Sequence, residues 1–308
     1  SVVVIESAAI PTNPIKPRTN MNLAVGSISG FLLSTMSVFV FEALDDKIKT
    51  PDDVKEHIKL PVLGIIDAYA QDNGGQLIAA TQPRSPTAEE FRGLRTNLNY
   101  AAVDRTLKSL LITSAEPAEG KTSVAVNLAI VFAQSGLKTL VMDCDLRRPT
   151  LHERLNLSNR LGLTSLIFNE SPNLSESVWQ SPYENLQVIT SGNLPPNPSE
   201  VLASKRMRET LQQIKDQAEI VIIDTPPILA VSDALVLAPQ VDGVLIVIQP
   251  GKTKINTVKN TVEQLRRAEA NLLGVVIKFM DGRRHRHARR YGYYTRAKYD
   301  HYYKAKED

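Results

Sequence analysis

At 308 residues the chain can bury one sizeable core and still carry an extra element. Its 43% hydrophobic and 22% charged residues are ordinary for a globular protein and exclude a fibrous or low-complexity chain. Net charge is only +3 but unevenly spread, and Cys144, the sole cysteine, excludes an internal disulfide and points to a reducing compartment.

The first residues, Val2 to Ile5, already read as a strand, as in a fragment whose N-terminal part has been removed. No basic-then-apolar signal peptide is visible there. Pro11, Pro14 and Pro17 recur every three residues, which favours an extended linker. Leu23 to Phe41 then runs 19 residues without a charge, about the ~30 Å of a bilayer core at helical rise. Gly26 and Gly30 stand four apart, the small-residue spacing that lets helices pack closely in lipid. The stretch reads as a membrane helix, with a buried helix of a soluble domain as the competing reading. Basic residues flank both ends, so loop charge does not fix an orientation.

Thr50 can cap a short helix with Pro51 in its first turn and Asp53 near the capping-box position. Val62 to Ile66 is a short strand candidate, and residues 71–86, with Gly74, Gly75, Pro83 and Pro86, read as a loop. Ser85-Pro86 opens a helix whose Phe91, Leu94 and Leu98 are spaced to bury one face. Glu89, Arg92 and Arg95 form a charged stripe on another face, either a solvated surface or an intersubunit ion-pair set.

Beyond Lys108, apolar strands at 109–113, Thr139–Met142, Leu186–Thr190, Ile220–Ile223, Gly243–Ile248 and Leu272–Ile277 alternate with helices. Short, nearly continuous apolar strands fit a mainly parallel sheet covered on both faces, a doubly wound α/β domain. Ligand is expected at the carboxyl ends of its strands. Between the first strand and a helix from Val124 to Gln134 lies Ala115-Glu116-Pro117-Ala118-Glu119-Gly120-Lys121-Thr122-Ser123. It fits [Ala/Gly]-x4-Gly-Lys-[Ser/Thr], a phosphate-binding loop. The free amides at the helix start face the positive dipole end, and Gly120 lets backbone approach a phosphate closely. Lys121 adds a point charge at the β- and γ-phosphates, and the Thr122 hydroxyl can ligate Mg²⁺.

Two further strands end in acids. Asp143-Cys144-Asp145-Leu146-Arg147 puts two carboxylates on one face of extended chain. Ile220 to Ile223 leads into Asp224, where an aspartate can hold Mg²⁺ directly or through water. Alone, each could merely cap a helix; together with Gly-Lys-Thr they predict a Mg·ATP site. The protein-kinase signatures of the eukaryotic type are missing.

The last stretch is basic and aromatic. Six of the nine tyrosines, Tyr291, Tyr293, Tyr294, Tyr299, Tyr302 and Tyr303, fall within the last 18 residues. Residues 283–308 hold nine Lys or Arg against three acids, net +6. Such a tail suits either binding to anionic lipid or nucleic acid, or a role as phosphoacceptor. At about −1.5 to −2 charges per phosphate, full modification would bring it to roughly −3 to −6.

These motifs together resemble the bacterial tyrosine kinases (BY-kinases) of capsule and exopolysaccharide systems, fused to the end of a chain-length determinant, or polysaccharide co-polymerase. The resemblance covers nearly the whole chain. Glu89-x-x-Arg92-x-x-Arg95 resembles the family's oligomerisation motif, Ala115–Thr122 its Walker A, Asp143-x-Asp145-x-Arg147 its Walker A′, Ile220–Asp224 its Walker B and 291–303 its tyrosine cluster. It implies an ATP- and Mg²⁺-dependent autokinase. Ala118, Glu119, Gly120, Lys121, Thr122 and Ser123 would bind nucleotide; Thr122, Asp145 and Asp224 would serve Mg²⁺; Asp143 would be the base, with Lys121 and Arg147 also catalytic. Subunits would form a ring in which one tail enters the next site. Partners would be the polysaccharide polymerase and export machinery and a tyrosine phosphatase, with no nucleic acid. The location would be the bacterial inner membrane, kinase domain in the cytoplasm.

The expected division is a linker over 1–21, a membrane helix over 22–42, a juxtamembrane linker over 43–84, a kinase domain over 85–282 and a disordered Tyr-rich tail over 283–308. The chain departs from the family's pattern at Ala118, where a glycine is frequent, and at Lys278, where the last strand usually ends in asparagine. The closest rival is a partitioning or cell-division ATPase of the same fold. That class carries a lysine where this chain has Glu116, and lacks a tyrosine tail. A nucleotide-binding scaffold without transfer is the non-enzymatic alternative.

Overall fold

The computed structural model describes residues 18–69, 77–102, 106–169 and 174–280. The chain divides into two units, residues 1–46 and 47–308. In the first, α1 (Thr19–Leu44) is one uninterrupted helix. Its 24-residue stretch Thr19–Glu42 is long and apolar enough to cross a membrane. Leu23, Phe31 and Phe41 are each more than 70% exposed. Three of the Ser and Thr residues that dilute its apolar character satisfy their hydroxyls within the helix. Ser34 and Thr35 donate to the Phe31 carbonyl and Ser37 to that of Leu33, the way hydroxyls are satisfied without water.

The second unit is built on one eight-stranded sheet. Its strands are β1 (Val62–Ile66), β2 (Ser109–Ser114), β3 (Thr139–Asp143), β4 (Trp179–Gln180), β5 (Leu186–Ile189), β6 (Ile220–Asp224), β7 (Gly243–Ile248) and β8 (Leu272–Lys278), in the order β1-β8-β7-β2-β6-β3-β5-β4. All pairings are parallel except β4 with β5. The sheet divides its side chains between two cores by strict alternation, as a two-residue period requires. Leu111, Val221, Ile223, Val244, Ile246 and Ile248 face one side; Leu110, Ile112, Ile220, Ile222, Leu245 and Val247 face the other.

Helices α3 (Ile78–Thr81), α4 (Pro86–Ala101), α5 (Lys121–Ala133) and α6 (Leu151–Arg154) cover the second face. Helices α7 (Leu163–Phe168), α9 (Pro198–Ala203), α10 (Lys205–Gln217), α11 (Asp233–Leu237) and α12 (Ile255–Arg267) cover the first; α8 (Leu174–Ser177) lies between α7 and β4 in sequence. The doubly wound reading therefore holds, and β2 lies between β6 and β7 at the centre of the sheet. The crevice above the carboxyl ends of β2, β6 and β3 is where such sheets bind ligands.

Three differences from the sequence reading are informative. Residues 47–66 are part of the folded unit, not a free linker. The capping box at Thr50 forms, with the Asp53 carboxylate accepting from the Thr50 amide and the Thr50 hydroxyl accepting from that of Asp53. The short helix α2 (Pro51–Asp53) runs into a π turn over Val54–Ile58, which buries Val54 and Ile58. Ile48, fully buried, pairs with the loop after β7: its amide donates to the Thr253 carbonyl and its carbonyl accepts from Gly251. Residues 78–81, expected as loop, form α3, because the buried Asn127 of α5 accepts from the Ala79 amide at 2.9 Å. Finally, β4 was missed; a two-residue strand carries no readable period. Strands β2, β3, β6 and β8 each extend one residue past the expected end, while β5 stops one short, at Ile189.

Candidate active site

The loop 115–120 leaves β2 and returns as α5, with Gly120 as the N-cap at φ +88°. A Cβ there would meet Lys278 Cε at 2.7 Å, so both backbone conformation and crowding demand glycine. Ala118 also takes a left-handed conformation, φ +60°, at a cost of roughly 1–2 kcal/mol for a residue with a Cβ. The loop is braced from the segment after β7. Lys252 Nζ donates to the carbonyls of Pro117 (2.7 Å) and Ala118 (3.3 Å). The buried Glu119 carboxylate accepts from the Glu116 amide at 2.9 Å and from the Thr253 hydroxyl. Burial pushes the Glu119 carboxyl above its ordinary value, and those two hydrogen bonds pull against it. Thr253→Val should therefore leave a buried carboxyl short of a donor and lower stability by about 1–3 kcal/mol. Denaturant midpoints of the two proteins check this; an unchanged midpoint would remove the brace.

Lys121 reaches across the crevice. Its Nζ lies 2.9 Å from Asp145 Oδ2 and 3.9 Å from Asp224 Oδ1. Burial alone would lower its proton affinity, but Asp224 and Asp145 outweigh it and raise the pKa. Thr122, buried in the first turn of α5, has its Oγ1 3.4 Å from Thr150 Oγ1. The Ser123 hydroxyl shares a 2.5 Å hydrogen bond with the Tyr69 phenol.

The β3–β6 register sets Asp143 directly beside Asp224. Asp143 is fully buried; its Oδ1 accepts from the Asp145 amide at 3.0 Å and its Oδ2 from that of Leu151 at 3.1 Å. Burial first, then the Asp224 carboxylate, drive its pKa up to about 8. Asp145 accepts the Arg148 amide on its other oxygen. Asp224 is raised by burial, with Lys121 opposing. Neither of its oxygens accepts a hydrogen bond of ordinary geometry among the described residues, although the Thr122 hydroxyl lies near enough to pull its proton affinity down. Two buried acceptors beside the loop lysine and the Thr122 hydroxyl are what a site for a hard cation leaves open. Among the described residues no three metal-ligating side chains cluster.

Arg147 is elsewhere engaged. It forms a bidentate pair with the buried Asp233 of α11, Nε at 2.8 Å and Nη2 at 3.1 Å, with Nη2 also 3.1 Å from Ser199 Oγ. That pair raises its pKa and ties the loop after β3 to α11. On α4, Glu89 and Arg92 form an ion pair, Arg92 Nη2 donates to the Pro83 carbonyl at 2.7 Å, and Arg95 donates to the Val131 carbonyl of α5 at 2.8 Å. The six tail tyrosines lie outside the described residues. Sequence reasoning missed Tyr69, Asp233, Thr253 and the packing of Lys278, since none falls in a motif or a period.

A phosphate-binding loop opening a helix, with aspartates ending the two next strands of a doubly wound sheet, defines a P-loop nucleotide-binding domain. The family model for the AAA domain matches residues 111–274. Tyrosine-protein kinase YwqD of Bacillus subtilis (strain 168) is 44% identical over 218 residues, covering 71% of this chain and 90% of YwqD. The solved kinase domain of Escherichia coli tyrosine kinase ETK superposes with a TM-score of 0.70 at 33% identity, covering 77% of this chain and 96% of that domain. Tyrosine-protein kinase etk of Escherichia coli (strain K12) is 32% identical over 296 residues, which are 90% of this chain but 41% of etk. The chain thus spans about two-fifths of that relative's length. It belongs to the bacterial tyrosine kinases of the capsule and exopolysaccharide family.

Proposed function

We propose that the chain transfers the γ-phosphoryl group of ATP to its own C-terminal tyrosines, each tail presented to the active site of a neighbouring subunit in a ring. The ring would sit at the cytoplasmic face of the bacterial inner membrane, anchored by α1, with phosphorylation controlling polysaccharide polymerisation and export and a tyrosine phosphatase resetting it. The observation that carries the reading is the Lys121–Asp145–Asp224 constellation beside Thr122 at the phosphate-binding loop.

In the reaction the tyrosine oxygen attacks the γ-phosphorus while the bond to the β,γ-bridging oxygen breaks, and ADP leaves. The loop amides from Ala118 to Ser123 cradle the phosphates, and Lys121 moves from its carboxylates to their oxygens. Thr122, Asp145 and Asp224 would hold Mg²⁺, which neutralises charge that builds on the phosphate oxygens. Asp143, when ionised, takes the tyrosine proton; its pKa of about 8 makes that form the minor one at neutral pH, and each of its oxygens keeps a second lone pair beyond the amide it accepts. Arg147, through Asp233, fixes the loop that carries Asp145.

Transfer between subunits is tested by mixing. Chain truncated before residue 283 supplies an active site without a tail; Lys121→Met chain supplies a tail without an active site. Phosphotyrosine on the Lys121→Met tail is expected. Its absence, with full-length chain active alone, would restrict the reaction to one subunit. Arg92→Ala with Arg95→Ala should lower the mass seen by light scattering. An unchanged mass would leave these arginines to the contacts they make within one chain.

A further inference from the structure

The chain turns sharply where β7 ends. The amides of Lys252 and Thr253 both donate to the Gln249 carbonyl, at 3.3 Å and 3.0 Å. Ile48 staples this turn from the other side. Its carbonyl accepts from the Gly251 amide at 2.7 Å, and its amide donates to the Thr253 carbonyl at 2.9 Å. Lys252 therefore stands on a fixed base. An exposed lysine normally keeps its ammonium in water. This one is exposed, yet its Nζ donates to two backbone carbonyls of the phosphate-binding loop, those of Pro117 and Ala118.

Which peptides it holds decides what the contact does. The Pro117 carbonyl shares a peptide plane with the Ala118 amide, and the Ala118 carbonyl shares one with the Glu119 amide. In a planar trans peptide the carbonyl and the amide point opposite ways. One cation that draws both carbonyls to itself therefore turns both amides away from it. Backbone φ is positive at Ala118 and Gly120 but not at Glu119 between them, the alternation that gathers successive amides into an anion-binding nest. Alanine enters that conformation at a cost, because of its Cβ, so the nest has to be held from outside. The Glu119 carboxylate closes the loop on the Glu116 amide, and Lys252 holds the two peptides in between.

We propose that Lys252 is a positioning residue for nucleotide binding: its ammonium fixes the peptides that join Pro117 to Ala118 and Ala118 to Glu119 so that their amides face the phosphate chain, which Lys252 itself does not touch. This rests on the P-loop reading of the same site. The competing role is an exposed cation that attracts phosphates through its field. That role needs the charge at 252 but no contact with the loop.

The test uses the full chain as wild type, Lys252→Met, Lys252→Arg and Lys121→Met. Mg·ADP and adenosine are titrated at low salt and at about 1 M salt, where the field of an exposed charge reaches only about 3 Å. Thermal midpoints and amide hydrogen exchange over residues 115–120 are measured without nucleotide. Lys252→Met should weaken Mg·ADP by about five- to tenfold, as expected for loss of charge-assisted contacts, at both salt concentrations. It should leave adenosine binding unchanged, speed exchange over 115–120, and move the midpoint by no more than other surface substitutions do. Lys252→Arg, which can donate to the same carbonyls, should restore most of the Mg·ADP affinity. Unchanged Mg·ADP binding in Lys252→Met would overturn the proposal. A loss that disappears at about 1 M salt, with exchange over 115–120 unaltered, would overturn it in favour of the field. Equal losses for adenosine and Mg·ADP with a lowered midpoint would make Lys252 a support of the fold alone. A wild type that matches Lys121→Met in taking up no Mg·ADP would instead bring down the nucleotide site itself, and the proposal with it.

Discussion

Lys121→Met will lower tyrosine phosphorylation by about a thousandfold or more, the scale seen when one preorganised charge is removed from a phosphoryl-transfer or oxyanion site. The Lys121 ammonium sits 2.9 Å from Asp145 and 3.9 Å from Asp224. These carboxylates keep it charged despite burial. When phosphates enter, the same ammonium is within reach of them at no cost in new desolvation, and its departure leaves Asp145 and Asp224 free for a cation. Methionine keeps the stem and removes both functions. It also leaves buried carboxylates without their counter-charge, so the nucleotide-free protein should lose stability as well. Initial rates of phosphotyrosine formation, with thermal midpoints alongside, measure both. A variant within tenfold of wild type would mean that the loop amides alone hold the phosphates.

Lys278→Met should do the reverse to stability. The Lys278 side chain is 1% exposed, its stem packed over Gly120 and its ammonium 4.3 Å from the centre of the Tyr69 ring. Burial, then the charge of Arg154, lower its pKa from 10.5 to about 8, with Glu90 opposing. At ~1.4 kcal/mol per tenfold change in proton affinity, that corresponds to roughly 3 kcal/mol against the folded state while the group is charged. The Tyr69 ring returns about 1–2 kcal/mol of it. The sign follows from which state holds the proton: the folded chain gives it up near pH 8, the unfolded chain only near 10.5. The penalty is complete below about pH 8 and fades as pH rises toward 10.5. Lys278→Met, which keeps the stem's packing, should raise the nucleotide-free midpoint by a few degrees at pH 7 and by little near pH 10. A fall in the midpoint at pH 7 would show that the contact with Tyr69 outweighs the burial of the charge.

Much of the site was legible because it is local. Gly120-Lys121-Thr122 is contiguous, and the acids at 143, 145 and 224 end apolar runs that could only be buried strands. The capping box at Thr50 was legible for the same reason, since both partners lie within one turn. What escaped is what joins distant segments. Ile48 meets Thr253, and Thr253 meets Glu119, through pairings that leave no period in either stretch. Helix α3 is tied by two side-chain amides of the α5 segment, Asn127 and Gln134, whose partner at Ala79 lies some fifty residues away in sequence. Asp233 is a helix-start acid like many others until Arg147 is seen across from it.

The most direct test of the kinase account is phosphopeptide mass spectrometry of the purified chain after incubation with Mg·ATP, beside Lys121→Met. Phosphate on tyrosines between 291 and 303 in the parent alone is the predicted result. Steady ATP hydrolysis with an unmodified tail would contradict it, and would assign the site to a nucleotide-driven switch of the partitioning type, with the tyrosines serving a charged surface.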